Sequence, residues 1–591
     1  MNIRKTAAIG AVVAAGALVL SGCTNPYTSE VIEGTSITVA YNDNFFNYND
    51  DSSAGNNTAN GNVRYMTSSD FAYYDATPEL IRNTDFGSFE KISDDPLTVE
   101  YTINSNVKWS DGTDVDEADM LLQWAALSGN VTDFAPASTA GLSLVTATPE
   151  VDDHKMTLVY DDAYVDWELA FGMGVSAHGT VMLAYPDEYP AGEEDAAKAD
   201  LITAIQEGDT EWLAPVVEVW NNGYGYTTMP DNELLYLSSG PYIVSDIAEN
   251  EFITLTANPE FSWGPSPHYE TITIRTISDS TAALQALENG DIQIWTGQPT
   301  ADILELAQGL AGVNVESGVQ AAYEHIDLTF NNGGPFDPAT YGGDEETAKL
   351  VRQAFLLTLP REEIVDKIIS PLNPDASVRD SQLVIPGAPS YDGIVAENGS
   401  DFYATTDIDA AKALLEQAGV DTPIDVNFWY PEGNVRRGQE FELAQASAAL
   451  AGFNVIDTSE PDWAFTDPEA FPVNPHDVVV FAWASTSLAI SGSDQIFACY
   501  DEPLNKAGNY NGYCNPTVDE LLATLEVTSD PDTQADLQLQ IEQELWGDAY
   551  GATLYQFPGL WVSSDTVTGV KGNPLSPDYF WNFWEWAPAD A

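Results

Sequence analysis

An excess of acid governs what this chain can fold into. Its 591 residues carry 93 Asp and Glu but only 19 Lys and Arg, a formal net charge of −74 and a sequence pI near 4.1. Charged residues amount to 19%, below the roughly 25% of an average globular chain. The imbalance therefore reflects a shortage of bases as much as a surplus of acids. Nucleic acid is excluded as a partner, because phosphate binding needs clustered Lys and Arg to release counterions. An anionic bilayer cannot be gripped through a basic patch for the same reason. Disorder does not follow: 44% hydrophobic and 11% aromatic residues suffice for a large core, and the acids are scattered instead of forming a tail.

The N-terminus reads as an export signal. Arg4 and Lys5 precede the apolar run Ala7 to Leu20, whose 14 residues are too few to span a hydrocarbon core of about 30 Å as a helix. The run ends in Leu20-Ser21-Gly22-Cys23, which resembles the lipobox of bacterial lipoproteins. That resemblance implies cleavage after residue 22, diacylglycerol on the Cys23 sulfur, and a polar tether over 23–35. An ordinary secretory signal with an incidental Cys is the alternative. Acyl chains hold firmly, since each buried CH₂ contributes ~0.8 kcal/mol. Cys499 and Cys514 remain, and an even pair in an exported chain suggests a disulfide. Two buried thiols are the alternative. No CxxC or neighbouring His completes a metal set, so no metal and no cofactor are expected.

The body reads as mixed α and β. Residues 36–42 (SITVAYN), 97–103 (LTVEYTI) and 271–277 (TITIRTI) alternate as half-buried strands do. Asp116 reads as an N-cap with Asp119 at N3, ahead of MLLQWAAL. Asp279 starts a helix that Gly290 stops, and residues 407–419 repeat that pattern. Further helices are expected at 345–357, 517–525 and 532–546. Catalytic signatures are missing: there is no GxSxG, HExxH, GxxxxGK[ST] or GxGxxG. His154, His178, His268, His325 and His476 fall in no ligand spacing. The acids from Asp111 to Asp119 superficially suggest a Ca²⁺ loop, but Gly112 is out of place for one. Paired carboxylates for glycoside hydrolysis exist, though 93 acids single out no pair.

Seven motifs in order carry a resemblance. They are Val107 to Asp119 (VKWSDGTDVDEAD), Ser239-Gly240-Pro241-Tyr242, Asn258 to Gly264, Ala283 to Ile294 (ALQALENGDIQI), Val351-Arg352-Gln353-Ala354, Ala411 to Gly419, and Tyr510 to Leu522. Together they resemble the family 5 extracellular solute-binding proteins, the oligopeptide-, dipeptide- and nickel-binding components of ABC importers. Residues 56–66 (NNTANGNVRYM) resemble that family's actinobacterial branch. The resemblance implies an α/β fold of two lobes, of the periplasmic-binding-protein type II, cluster C, with an extra satellite domain. Lobe I would combine 36–49, 217–277 and 551–591, the satellite domain 50–216, and lobe II 278–550, with the hinge near Ser278 and Gly551. A solute would be enclosed as the lobes close, and the loaded monomer would dock on a membrane permease.

Aromatic walls with a few polar anchors suit such a cleft. By position the ligand-facing residues are expected to be Asn44, Phe45, Tyr65, Asn331, Trp429, Trp483 and Thr486. Residues 476–483 (HDVVVFAW) resemble the family's D-x-x-x-x-G-W strand. Peptide-binding members often continue with W-x-x-D, whose Asp pairs with the peptide ammonium; here Thr486 holds that place, and Asp494 lies eight residues beyond it. Pro360-Arg361 also departs from the family's Asp-Arg. Oligopeptide is the expected solute, with an oligosaccharide or similar bulky solute as the alternative. No enzymatic activity is expected; the competing reading is a secreted glycan-active hydrolase. The acids belong mostly on the outer faces of the lobes, where salt screens repulsion beyond roughly 10 Å at 0.1 M. The melting temperature should therefore rise from low salt to molar NaCl, and a flat curve would contradict this account of the charge.

Overall fold

The computed structural model describes residues 28–77, 79–297, 299–461, 463, 473–485, 489–499 and 508–590. Cys23 with the leader, and Thr486, lie outside the described residues. One mixed sheet of ten strands runs through the molecule. In chain order these are β1 Ile32–Tyr41, β2 Tyr242–Ala248, β3 Phe252–Ala257, β4 Tyr269–Thr276, β5 Ile294–Thr296, β6 Val313–Leu328, β7 Ile424–Trp429, β8 Phe453–Asp457, β9 Val478–Ala484 and β10 Gly551–Ser564. Their order across the sheet is β8-β7-β9-β6-β10-β5-β1-β4-β3-β2. The alternation read at 36–42 places Ile37 and Val39 inside β1, which pairs in parallel with β4 and β5.

Two long antiparallel strands, β6 and β10, join the halves of this sheet. Their pairing runs from Val313–Ser564 to Val319–Pro558, is interrupted, and resumes at Tyr323–Gln556. Ahead of the interruption β10 pairs with β5; beyond it β6 pairs with β9. Just ahead of the interruption the Trp561 indole lies over the paired Gly318 and Gly559. A Cβ on Gly559 would come within 2.4 Å of that ring, so glycine is needed there. Trp561 Nε1 also donates to the Asp578 carboxylate, which accepts from Gln320 Nε2 at 2.9 Å and Thr296 Oγ1 at 3.2 Å.

This geometry shifts the expected lobe boundaries. Residues 278–312 do not start the second lobe: Ala283, Leu284, Leu287, Trp295 and Ile303 pack with Ala40 of β1 and with Leu560 and Val562. Residues 551–557 likewise belong with the second half, where Ala552, Leu554 and Tyr555 join the core of Ile326, Val426 and Val480. The chain changes sides inside two strands, not in the loops before them. Residues 50–216 carry a separate four-stranded antiparallel sheet, Gly87–Asp94, Leu97–Ile103, Lys155–Val159 and Glu150–Asp152. Its core is continuous with that of β1 to β4, through Val63, Trp109 and Trp220.

Local signals decide the helix ends. Asp116 and Asp119 form a reciprocal capping box on the helix Glu117–Leu127. Lys198 Nζ sits 3.0 Å from Asp116 Oδ2 and 3.1 Å from Asp119 Oδ2, and Asp111 Oδ2 lies 2.9 Å from His178 Nε2. The acids that suggested a Ca²⁺ loop thus have protein partners. Asp279 caps Ser280–Asn289 and Gly290 ends it in the left-handed region; Asp407 and Gly419 do the same for Ile408–Ala418. Cys499 and Cys514 are joined by a disulfide, with Cα atoms 4.4 Å apart.

Buried charge is balanced. Among the described residues seven bases are buried: Arg64, Lys198, Arg352, Arg361, Arg379, Arg436 and Arg437. Seven acids join them in the interior, so among the described residues the acid excess lies outside the core. The densest cluster ties β6 and β10 to the helix Val435–Ala451. Glu324 Oε2 accepts from Arg436 Nη1 at 2.8 Å and Oε1 from Arg437 Nε at 2.6 Å, while the Tyr555 hydroxyl meets both Arg436 and Glu440. Burial alone would raise the Glu324 carboxyl, but the two arginines hold it below its ordinary value. Removing one partner leaves the others buried and uncompensated. Glu324→Ala should cost about 3–5 kcal/mol in urea unfolding; a loss of under about 1 kcal/mol would mark the cluster as solvated.

Candidate functional site

Between the halves of the sheet and the domain formed by 50–216 lies a cavity of about 3220 Å³. Each region of the chain contributes to its wall. The loop after β1 brings Asn44 and Phe45, the helix Thr58–Thr67 brings Tyr65, the strand interruption brings Gln320 and Tyr323, and β9 brings Phe481 and Trp483. The C-terminal segment adds Asp578, Trp581 and Trp584. A loop after a strand, a helix and the strands themselves present these side chains.

Of the residues expected from sequence, Asn44, Phe45, Tyr65 and Trp483 line this cavity. Phe45 packs on Tyr226 with ring centroids 5.3 Å apart. Tyr65 donates to Trp581 O at 3.0 Å and stacks on Trp584 at 6.3 Å. Trp483 is held between two nearly parallel rings, His325 at 6.3 Å and Tyr510 at 6.1 Å. Its position on β9 explains this: the strand pairs Trp483 with Tyr323, next to His325 on β6.

Asn331 and Trp429 are corrections, for neither is part of the cavity wall. The loop after β6 turns toward Asp477, where Asn332 Nδ2 donates to Asp477 Oδ1 at 3.1 Å, and Asn331 is carried to the exposed side beside Gly512. Trp429 is fully buried at the end of β7, behind the wall. It packs at 4.9 Å on Trp463, and Trp463 is the ring that reaches the cavity. Asp494 does not take the place left by Thr486. It is not among the lining residues, and its Oδ1 is buried with no partner among the described residues.

The wall also carries charge that sequence reasoning missed. Asp50, Asp51 and Asp70 face the cavity from one side and Asp578 from another. Burial pushes the Asp70 and Asp578 carboxyls up to about 7, and raises Asp50 with help from neighbouring Asp51. Arg64, Arg379, Arg436 and Arg437 reach the wall as well, each already engaged. Arg64 Nε is 3.4 Å from Asp50 Oδ1, Arg379 lies 3.8 Å over the Tyr323 ring and bonds Ser381 O, and the other two hold Glu324. The adjacent pair Asp50-Asp51 and the run YFWNFWEW at 579–586 were visible signals. Nothing local marked them as facing a ligand.

The arrangement is a large, partly open cleft with aromatic and acidic walls. Among the described residues no group of His, Cys, Asp or Glu is placed to hold a metal ion. Comparison with known proteins agrees with the architecture. The family model described as "Bacterial extracellular solute-binding proteins, family 5 Middle" matches residues 77–497. An uncharacterized lipoprotein of Mycobacterium tuberculosis is 22% identical over 98% of this chain and 97% of its own length. Among solved structures, a periplasmic EDTA-binding protein, EppA, superposes with a TM-score of 0.76 at 20% identity, covering 96% of this chain and 98% of its own. The oligopeptide-binding protein AppA of Bacillus subtilis, in complex with a nonapeptide, gives 0.70 at 18% identity, covering 94% and 99%. These neighbours share the two-lobed, type II periplasmic-binding-protein-like α/β fold. The chain belongs to the bacterial extracellular solute-binding proteins of family 5, the solute-capturing components of ABC importers.

Proposed function

We propose that this protein captures oligopeptides at the outer face of the cytoplasmic membrane, held there by lipid on Cys23, and passes them to a permease. As a member of a solute-binding family it binds and does not catalyse, which sets aside the glycan hydrolase. The cavity carries the proposal. At about 3220 Å³ it is some three times larger than the roughly 1,000 Å³ at the upper end of ordinary ligand pockets. A long, variable chain with its bound water fits such a space better than a compact solute. The rings of Tyr65, Trp483 and Trp584 offer flat apolar contact that suits many side chains.

The wall chemistry separates this reading from the other one that the neighbours suggest. A polyanionic chelate such as EDTA needs several unengaged bases; Arg379, Arg436 and Arg437 are held by acids, backbone carbonyls or rings, and Arg64, paired with Asp50, keeps only Nη1 without a hydrogen-bond partner among the described residues. The buried, raised carboxyls of Asp50, Asp51, Asp70 and Asp578 offer an anion no compensating positive charge and accept hydrogen bonds from ammonium and amide groups. With Thr486 in place of the usual Asp, a peptide ammonium would be met from this acidic side.

Native mass spectrometry of the purified full chain should show co-purified peptides that exchange with added peptide. Recovery of a sugar or a metal chelate, with no peptide exchange, would overturn the assignment. Trp483→Ala should weaken binding of those peptides by roughly tenfold or more, as removal of a central aromatic does; unchanged affinity would count against this cavity as the site.

A further inference from the structure

Apart from the crossing strands, the domain formed by 50–216 and the second lobe touch directly. Asp166 Oδ2 accepts three hydrogen bonds from one short segment: Ile490 N at 2.9 Å, Ser491 N at 2.7 Å and Ser491 Oγ at 2.7 Å. Tyr164 Oη lies 2.8 Å from Ser491 Oγ, so the two hydroxyls and the carboxylate form a relay in which tyrosine donates to serine and serine to aspartate. Beside them Val165 N donates to Glu526 O at 3.0 Å, and Gly141 N to Glu526 Oε1 at 2.8 Å. Gly141 has φ 74°, and a Cβ on it would come within 2.4 Å of the Tyr164 ring. That close approach lets the tyrosine reach across.

These partners lie more than 300 residues apart in sequence and on opposite sides of the cavity, whose wall includes Ala140 and Tyr164 on one side and Ile490 and Ser491 on the other. Rotation of the lobes about the interrupted β6 and β10 strands must break every one of these bonds. All the donors are backbone N–H groups or hydroxyls, so the contact draws on none of the chain's few bases. The helix Pro516–Glu526, which ends in Glu526, is tied near its start to the Cys499–Cys514 bridge, because Cys499 N donates to Asp519 Oδ1 at 2.9 Å.

We propose that Tyr164, Asp166, Ser491 and Glu526 form a latch that holds the lobes closed over captured solute, with Asp166 as its positioning residue. This rests on the cavity being the site of capture. The closed state gains the latch bonds only when the lobes meet, so they slow release more than they speed entry.

The test compares the full chain with Asp166→Ala, Ser491→Ala and Ser491→Thr. Amide hydrogen exchange at Val165, Ile490 and Ser491, and the solution-scattering radius of gyration, report closure without ligand. Release of a synthetic nonapeptide mixture reports capture. Asp166→Ala and Ser491→Ala should speed exchange at those amides, enlarge the radius and raise the dissociation rate by roughly tenfold. Association rate and melting temperature should stay as they are, and Ser491→Thr, which keeps the hydroxyl, should restore the rest. Unchanged exchange and radius in both alanine variants would overturn the latch, whatever the peptides do. Altered exchange and radius with no nonapeptide bound by any form would support the latch and overturn the peptide assignment instead.

Discussion

Along β6 and β10 the backbone hydrogen bonds stop after Val319–Pro558 and resume at Tyr323–Gln556, and all that can close over a solute depends on that interruption. A continuous ladder of this length would make the two halves one stiff sheet. The interruption is specified in detail. The Trp561 ring lies just ahead of it against Gly318 and Gly559, and Asp578 accepts from that indole and from Gln320 and Thr296. Just beyond, the buried cluster of Glu324, Arg436 and Arg437 anchors the same two strands to the second lobe. An interruption of this kind, a few residues long, is what hinge closure would require. The cavity lies against this point, with Gln320, Tyr323 and Asp578 in its wall.

Because the two halves of the sheet are joined within strands, the cavity collects its wall from across the chain. Tyr65 meets Trp581 and Trp584, which lie more than 500 residues further along. Trp483 is oriented by His325 on a neighbouring strand and by Tyr510 near the disulfide. Aromatic area of this kind binds without demanding one sequence, and the acids around it set the sign of charge that is welcome.

Local signals were legible where the physics is local. Asp116, Asp279 and Asp407 cap helices because a carboxylate reaches its own helix N–H groups, and Gly290 and Gly419 end helices because only a left-handed residue suits that place. Ordered motifs carried the family because spacing along the chain survives divergence. Which ring faces the cavity was a different matter. Trp429 and Trp483 both lie at or near the ends of neighbouring strands, yet one is sealed behind Trp463 and the other lines the wall. That choice is made by register and by which side of the sheet a helix covers. The boundary expected at Ser278 failed for a related reason. A loop looks like a border in sequence, whereas residues 278–312 are held by contacts with Ala40, Leu560 and Val562. Asp50, Asp70 and Asp578 were hidden among 93 acids until folding brought them to one cavity.

The burial of seven bases has a consequence for the outside of the molecule. Removing them from the surface leaves it with very few sites that carry an amine or guanidinium. Enzymes that cut after basic residues find little exposed chain to recognise, and reagents that couple to amines find few handles. The surface also offers little for the anionic polymers of a cell envelope to hold. Five of the seven, Arg352, Arg361, Arg379, Arg436 and Arg437, are buried in the second lobe, and all seven are withdrawn from the outer surface.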